Sequence, residues 1–204
     1  MNIIQQIIIL APPFLFALTI HECAHGYVAY RLGDPTAHNL GRLTLNPLKH
    51  IDPLGVLFFI IAKIGWAKPV PVDPRYFKNP RHDMLWVSLA GPGSNFALAV
   101  ISAVAVKLLL ALGAVLPTAV LLPIISMVGA SIWINLMLAV FNLLPIPPLD
   151  GSKILMGLLP PDLAASFARI EPFGFILMLI LFYTGILSKI IMPIISFAQH
   201  IMMG

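Results

Sequence analysis

The sequence has a single cysteine, Cys23, few charges, and no lysine or arginine among its first twenty residues. One cysteine excludes an intramolecular disulfide and any cysteine-rich zinc module. Charged residues make up 10% of the 204 positions, against roughly 25% in ordinary soluble domains. The first apolar stretch has neither a basic flank before it nor a small-x-small cleavage site after it. It therefore reads as a retained spanning helix and not as a cleaved signal peptide. The 12 Lys and Arg outnumber the 8 Asp and Glu, for a formal charge of +4. These basic residues gather neither on one helix face nor in an arginine-rich arm, so no nucleic-acid partner is expected.

What fills the sequence is apolar: 59% of its residues are hydrophobic and its mean hydropathy is +0.97. A compact soluble protein of this size has no interior for so much apolar surface, and a disordered chain would not carry it. What remains is an all-α polytopic membrane protein embedded in a lipid bilayer. A helix needs about 20 apolar residues to cross the hydrocarbon core. Four stretches qualify, at about residues 3–30, 84–116, 120–144 and 173–197. A fifth, 54–67, is shorter and contains Lys63, which suits partial insertion or re-entry as well as a full span. The expected fold is a bundle of four or more transmembrane helices.

Residues 31–82 are the most polar region and hold eight of the 12 basic residues. The positive-inside rule places this loop in the cytoplasm, and the loop carrying Lys153 and Arg169 falls on the same side. The chain is thus expected in the cell membrane as a multi-pass protein, with both termini outside. Residues 42–45 and 68–72 alternate polar or proline positions with apolar ones. They read as short β-strands in the cytoplasmic loop, edge strands because of the prolines. No linker, low-complexity tract or internal repeat divides the sequence. Residues 1–204 read as one membrane-embedded domain, with a core at about 3–155 and a C-terminal helix at about 173–197.

His21-Glu22-Cys23-Ala24-His25 is H-E-x-x-H within a predicted helix. Residues four apart sit about 40° apart around the axis and one turn along it. Both imidazoles can meet one metal ion, and Glu22 beside them can take a proton from water. Two histidines and a glutamate inside a span are expensive unless they have partners; the alternative is a polar helix end just outside the lipid. A catalytic zinc takes three protein ligands and one open position. By depth, the third ligand is Asp150, which follows the third span in a proline-rich turn as the imidazoles end the first. An Asp-Gly turn at a helix end would also account for it.

With these residues in place, the sequence resembles the site-2 protease family of intramembrane zinc metalloproteases. The matching residues are His21-Glu22-Cys23-Ala24-His25, Gly91-Pro92-Gly93-Ser94-Asn95 (G-P-x-x-N), and Asn142-Leu143-Leu144-Pro145 through Leu149-Asp150-Gly151 (N-x-x-P…D-G). The stretch 65–72 resembles the loop after the first catalytic helix. The motifs lie in the family's order over about residues 15–155, in a compact form without PDZ or CBS domains. Leu149 departs from members that have proline there, which leaves the subfamily open.

The resemblance implies that His21, His25 and Asp150 bind Zn2+ and that Glu22 is the catalytic base. It also implies that Asn95 and Asn142 serve the substrate backbone or oxyanion, a helix–helix hydrogen bond being the other account of each. The implied activity is intramembrane endopeptidase cleavage within or near transmembrane segments of membrane-protein substrates, from an active site toward the cytoplasmic side. The alternative is a metal-ion or proton transporter built on the same His/Asp cluster; the inverted repeats that would favour it are absent. Cys23 is expected to be a small filler, and His38, His50 and His82 to be solvated loop residues.

Overall fold

The computed structural model describes residues 2–62, 65–111, 113 and 117–204. Its long helices are α1 (Ile3–Arg31), α4 (Pro80–Ala111), α5 (Thr118–Asn142) and α9 (Ile186–Met203). Shorter ones are α2 (Thr36–Asn39), α3 (Pro53–Ala62), α6 (Asp150–Leu158), α7 (Pro161–Ala168) and α8 (Gly174–Tyr183). Among the described residues, five stretches are long and apolar enough to cross a membrane: Ile4–Arg31, Pro80–Ala111, Thr118–Asn142, Pro161–Tyr183 and Ile186–Met203. The protein is a multi-pass helical membrane protein, as composition required.

α1 opens with a reciprocal cap: the Asn2 side chain accepts from Gln5 N and the Gln5 side chain accepts from Asn2 N. This satisfies two of the donors that a helix start leaves free. α1 ends at Leu32-Gly33, where Gly33 takes φ +110°, a conformation glycine adopts at little cost. The central bundle is α1, α4 and α5, with α9 against it. Its apolar core includes Ala99, Ala103, Ile132, Leu136, Leu187, Ile191 and Ile195. Alanines on α4 facing larger residues on α5 and α9 let the helices approach closely.

Two expectations need correction. The single span at 173–197 is two helices, because Gly185 adopts φ +74° and separates α8 from α9. Apart from Thr184 the flanking residues are mostly apolar, so the hydropathy of the stretch does not mark the break. Nor do the strands form: among the described residues there is only one isolated antiparallel bridge, Ile51 with Ala67. Three of the backbone groups a strand would pair are taken by side chains. Thr44 O accepts from Cys23 and His50, Lys68 O accepts from Arg42, and Val70 N donates to Glu22. Prolines at 69 and 71 remove further donors.

Of the expected partial span 54–67, residues 63 and 64 lie outside the described residues, as do 112 and 114–116 at the end of the expected second span. The ten residues of α3 rise about 15 Å, roughly half a hydrocarbon core. The chain beyond α3 comes back beside its start. Ala67 bridges Ile51, and a Cβ on Gly55 would collide with the Trp66 carbonyl.

Candidate metal centre

α1 carries His21 and His25 one turn apart on the side facing α4, and both imidazoles are buried. His25 Nδ1 donates to the Val87 carbonyl at 2.7 Å, and His21 Nδ1 donates to Asn95 Oδ1, also at 2.7 Å. Both acceptors belong to α4. The assignment at His21 follows from Asn95 itself, whose Nδ2 donates to Ala17 O and to Asn135 Oδ1, leaving Oδ1 toward the ring. With both protons on Nδ1, each Nε2 presents a lone pair. The two Nε2 atoms lie 3.0 Å apart, and each is 3.2 Å from Asp150 Oδ2.

Two lone pairs and a carboxylate converging on one point repel one another unless a cation sits among them. The separations suit zinc, since ligand atoms about 2.0–2.1 Å from a tetrahedral zinc stand about 3.3 Å apart. Nδ1–H donation to a carbonyl or amide oxygen is also the usual way a protein fixes the tautomer of a zinc-binding histidine. The donor set therefore fits zinc.

Asp150 reaches the imidazoles because the turn after α5 folds back tightly. Ile146 N donates to Leu144 O, Leu149 N to Ile146 O, and both the amide and hydroxyl of Ser152 donate to Leu149 O. A Cβ on Gly151 would strike the carbonyls of Leu143 and Leu144. The glycine after the aspartate is thus what lets α6 start against the end of α5, with Asp150 in its first turn. Gly91 has a similar role on α4, where a Cβ would intrude on both imidazole rings. Gly26, one residue past His25, leaves room for Leu43 and Val70 against α1.

Glu22 is buried, and its Oε2 accepts from Val70 N at 2.8 Å. The segment that supplies this amide is held from below by Asp34. That carboxylate is fully buried and accepts from Asp73 N at 2.7 Å and from the amide and hydroxyl of Thr36. Asp73 in turn caps the short turn at 74–76 and grips Arg75, whose guanidinium holds the Asp73 carboxyl below its usual range. On the adjoining face of α1, Ile20, Cys23, Ala24 and Tyr27, with residues 43–45, line an open, mostly apolar groove of about 360 Å³.

The structure thus brings together His21, His25 and Asp150, with Glu22 beside His21 in the sequence and tied to the 65–73 loop. Asn95 lies behind His21 as its hydrogen-bond partner. Asn142 is at the end of α5, its amide donating to Leu138 O one turn back. His50 is a correction: it is fully buried and donates from Nε2 to Thr44 O. The sequence offered no signal for the Val87 carbonyl, the Val70 amide or Asn135, all of which carry the second layer of contacts. Gly91 was visible as part of a motif, but its clearance for the two rings was not.

Two imidazoles and a carboxylate focused on one point, beside a glutamate and inside a membrane bundle, define the class of membrane-embedded metallohydrolases. Residues 9–183 match the model for peptidase family M50. The chain is 44% identical to the Bacillus subtilis (strain 168) protein named "Putative zinc metalloprotease YwhC", over 89% of this chain and 83% of that protein. It is 33% identical to "Putative zinc metalloprotease Rip2" of Mycolicibacterium smegmatis, over 86% of this chain and 67% of that one. The protein of the same name from Mycobacterium tuberculosis (strain H37Rv) is 32% identical, over 86% and 66%. No solved structure gives a significant match. The chain belongs to peptidase family M50, the site-2 protease family, and is a zinc metalloprotease by membership. Membership does not favour the transporter.

Proposed function

We propose that His21, His25 and Asp150 hold the zinc, that Glu22 is the catalytic base, and that the substrates are transmembrane segments of other membrane proteins. The convergence of His21 Nε2, His25 Nε2 and Asp150 Oδ2 within 3.2 Å of one another carries this reading. Zinc, when bound, supplies Lewis acidity, which acidifies water and polarises a peptide carbonyl. Glu22 then takes the proton of the attacking water and delivers it to the departing amine. The Val70 amide on Oε2 fixes the carboxylate's direction and leaves Oε1 to receive the proton. Asn95 acts by holding His21 in the tautomer that exposes Nε2. Asn142 serves the substrate backbone.

A helical transmembrane substrate has every backbone carbonyl bonded, so it must unwind before the scissile carbonyl can be attacked. The described residues form no strand at 42–45 or 70–72 to hold it extended, and one backbone group in each stretch, Thr44 O and Val70 N, is engaged by side chains. The concentration of basic residues between α1 and α4 supports an active site toward the cytoplasmic face of the cell membrane. Residues 1–204 act as one membrane-embedded domain with its catalytic core at about 3–155.

The test is metal content together with cleavage of a model transmembrane substrate in detergent or vesicles. Glu22→Gln is expected to keep zinc and lose cleavage by about 10²–10⁴-fold. Asp150→Ala is expected to lose both. Zinc bound equally well by Asp150→Ala, or full cleavage by Glu22→Gln, would overturn the assignment.

A further inference from the structure

Asn95 can serve His21 in only one orientation of its amide. Flipped, it would present Nδ2 to Nδ1 of His21, drive the ring proton to Nε2 and remove the lone pair that a metal needs. Two acceptors oppose that flip, Ala17 O at 3.1 Å and Asn135 Oδ1 at 2.9 Å. Asn135 could turn over as well, but its Nδ2 donates to the backbone carbonyl of Ser131 at 2.8 Å and to the Ser131 hydroxyl oxygen at 3.1 Å. A carbonyl only accepts. The polarity of the row is therefore set by two fixed carbonyls, Ala17 O beside Asn95 and Ser131 O at the far end: His21 donates to Asn95, Asn95 to Ala17 and Asn135, and Asn135 to the backbone of α5. Both amides are fully buried, so no water competes for them and a reversed amide would leave buried donors and acceptors unpaired.

We infer that Asn135 is a positioning residue for the metal centre, fixing the tautomer of His21 through Asn95 while touching neither metal nor substrate. It stands seven residues before Asn142, outside every motif of the sequence, on a span whose apolar pattern gives it no other task. The inference rests on the proposed zinc site. The competing account is that Asn135 merely ties α5 to α4.

The experiment measures zinc dissociation constants by chelator competition on the full chain in detergent, with thermal unfolding of the zinc-free chain alongside. Asn135→Leu keeps the branched shape of the side chain at a somewhat larger size and removes the acceptor, and zinc affinity is expected to fall about tenfold. Asn135→Asp, taken up as a neutral acid at this buried position, keeps an acceptor for Asn95 and a donor for Ser131. It is expected to bind zinc within about threefold of the parent. Ser131→Ala keeps the carbonyl and is expected to behave likewise. Should Asn135→Leu not fold, Asn135→Ser, too short to reach Asn95, is expected to show the same tenfold loss. Parental affinity in Asn135→Leu (or in Asn135→Ser, where that replaces it), even with a lowered melting temperature, would overturn the positioning role and leave the metal site standing. So would Asn135→Asp binding no better than Asn135→Leu. A parent chain that binds no zinc would overturn the metal site and this inference with it.

Discussion

The two halves of α1 share one helix and live in different solvents. In the first half, Ile4, Ile7, Ile8 and Leu10 are exposed on the surface of the bundle, as suits a face turned to lipid. In the second, Ala17, Thr19, His21, Glu22, His25 and Ala29 are buried. The polar ones among them have partners, down to Thr19, whose hydroxyl donates to Leu15 O at 2.6 Å. The first half has no fixed neighbours to fit and tolerates any apolar side chain. The second is built from directed hydrogen bonds in a low-dielectric interior, where an unmatched group is costly. Hydropathy sees one span; packing sees an anchor and a wall of the candidate metal centre.

Substitutions along this divide should rank by how many directed contacts they break. The largest effect is expected for His25→Ala, which removes a proposed zinc ligand and the donor to the Val87 carbonyl. Zinc affinity should fall by more than about a hundredfold, beyond the range for residues that only support a ligand, as read by chelator competition. Gly91→Ala comes next. Its methyl group would press on both rings from the rigid backbone of α4, so a loss of about 1–3 kcal/mol is expected together with weaker zinc binding. Thermal unfolding with and without zinc measures both. The smallest effect belongs to Ile8→Ala in the lipid-facing half, within about 0.5 kcal/mol in the same assay. If Ile8→Ala cost as much as Gly91→Ala, the two halves would not differ as described.

A second contrast explains which parts of the site could be read in advance. His21 and His25 are four apart on one helix, so their meeting point follows from helical geometry alone. Asp150 was reachable by matching its depth to theirs. Asn135 and the Val87 carbonyl were not, because in a span that is apolar all round no periodicity marks which side faces a neighbour. The break at Gly185 escaped for a related reason: a single left-handed glycine changes the path of the chain without changing its hydropathy. The strands at 42–45 and 68–72 failed because alternation describes a strand only when backbone groups are free to pair, and here Glu22, Cys23, His50 and Arg42 take them first.

Composition and motif alone determined that this chain lives in a membrane, is built of helices and sets two histidines one turn apart with a glutamate beside them. Those properties depend on residue type and on spacing within one element. The tertiary structure decided which tautomer each histidine adopts, what holds Glu22, and how closely α4 and α6 approach α1. Such features need groups from different helices at separations of about 3 Å, and no linear pattern of residues encodes a distance between helices.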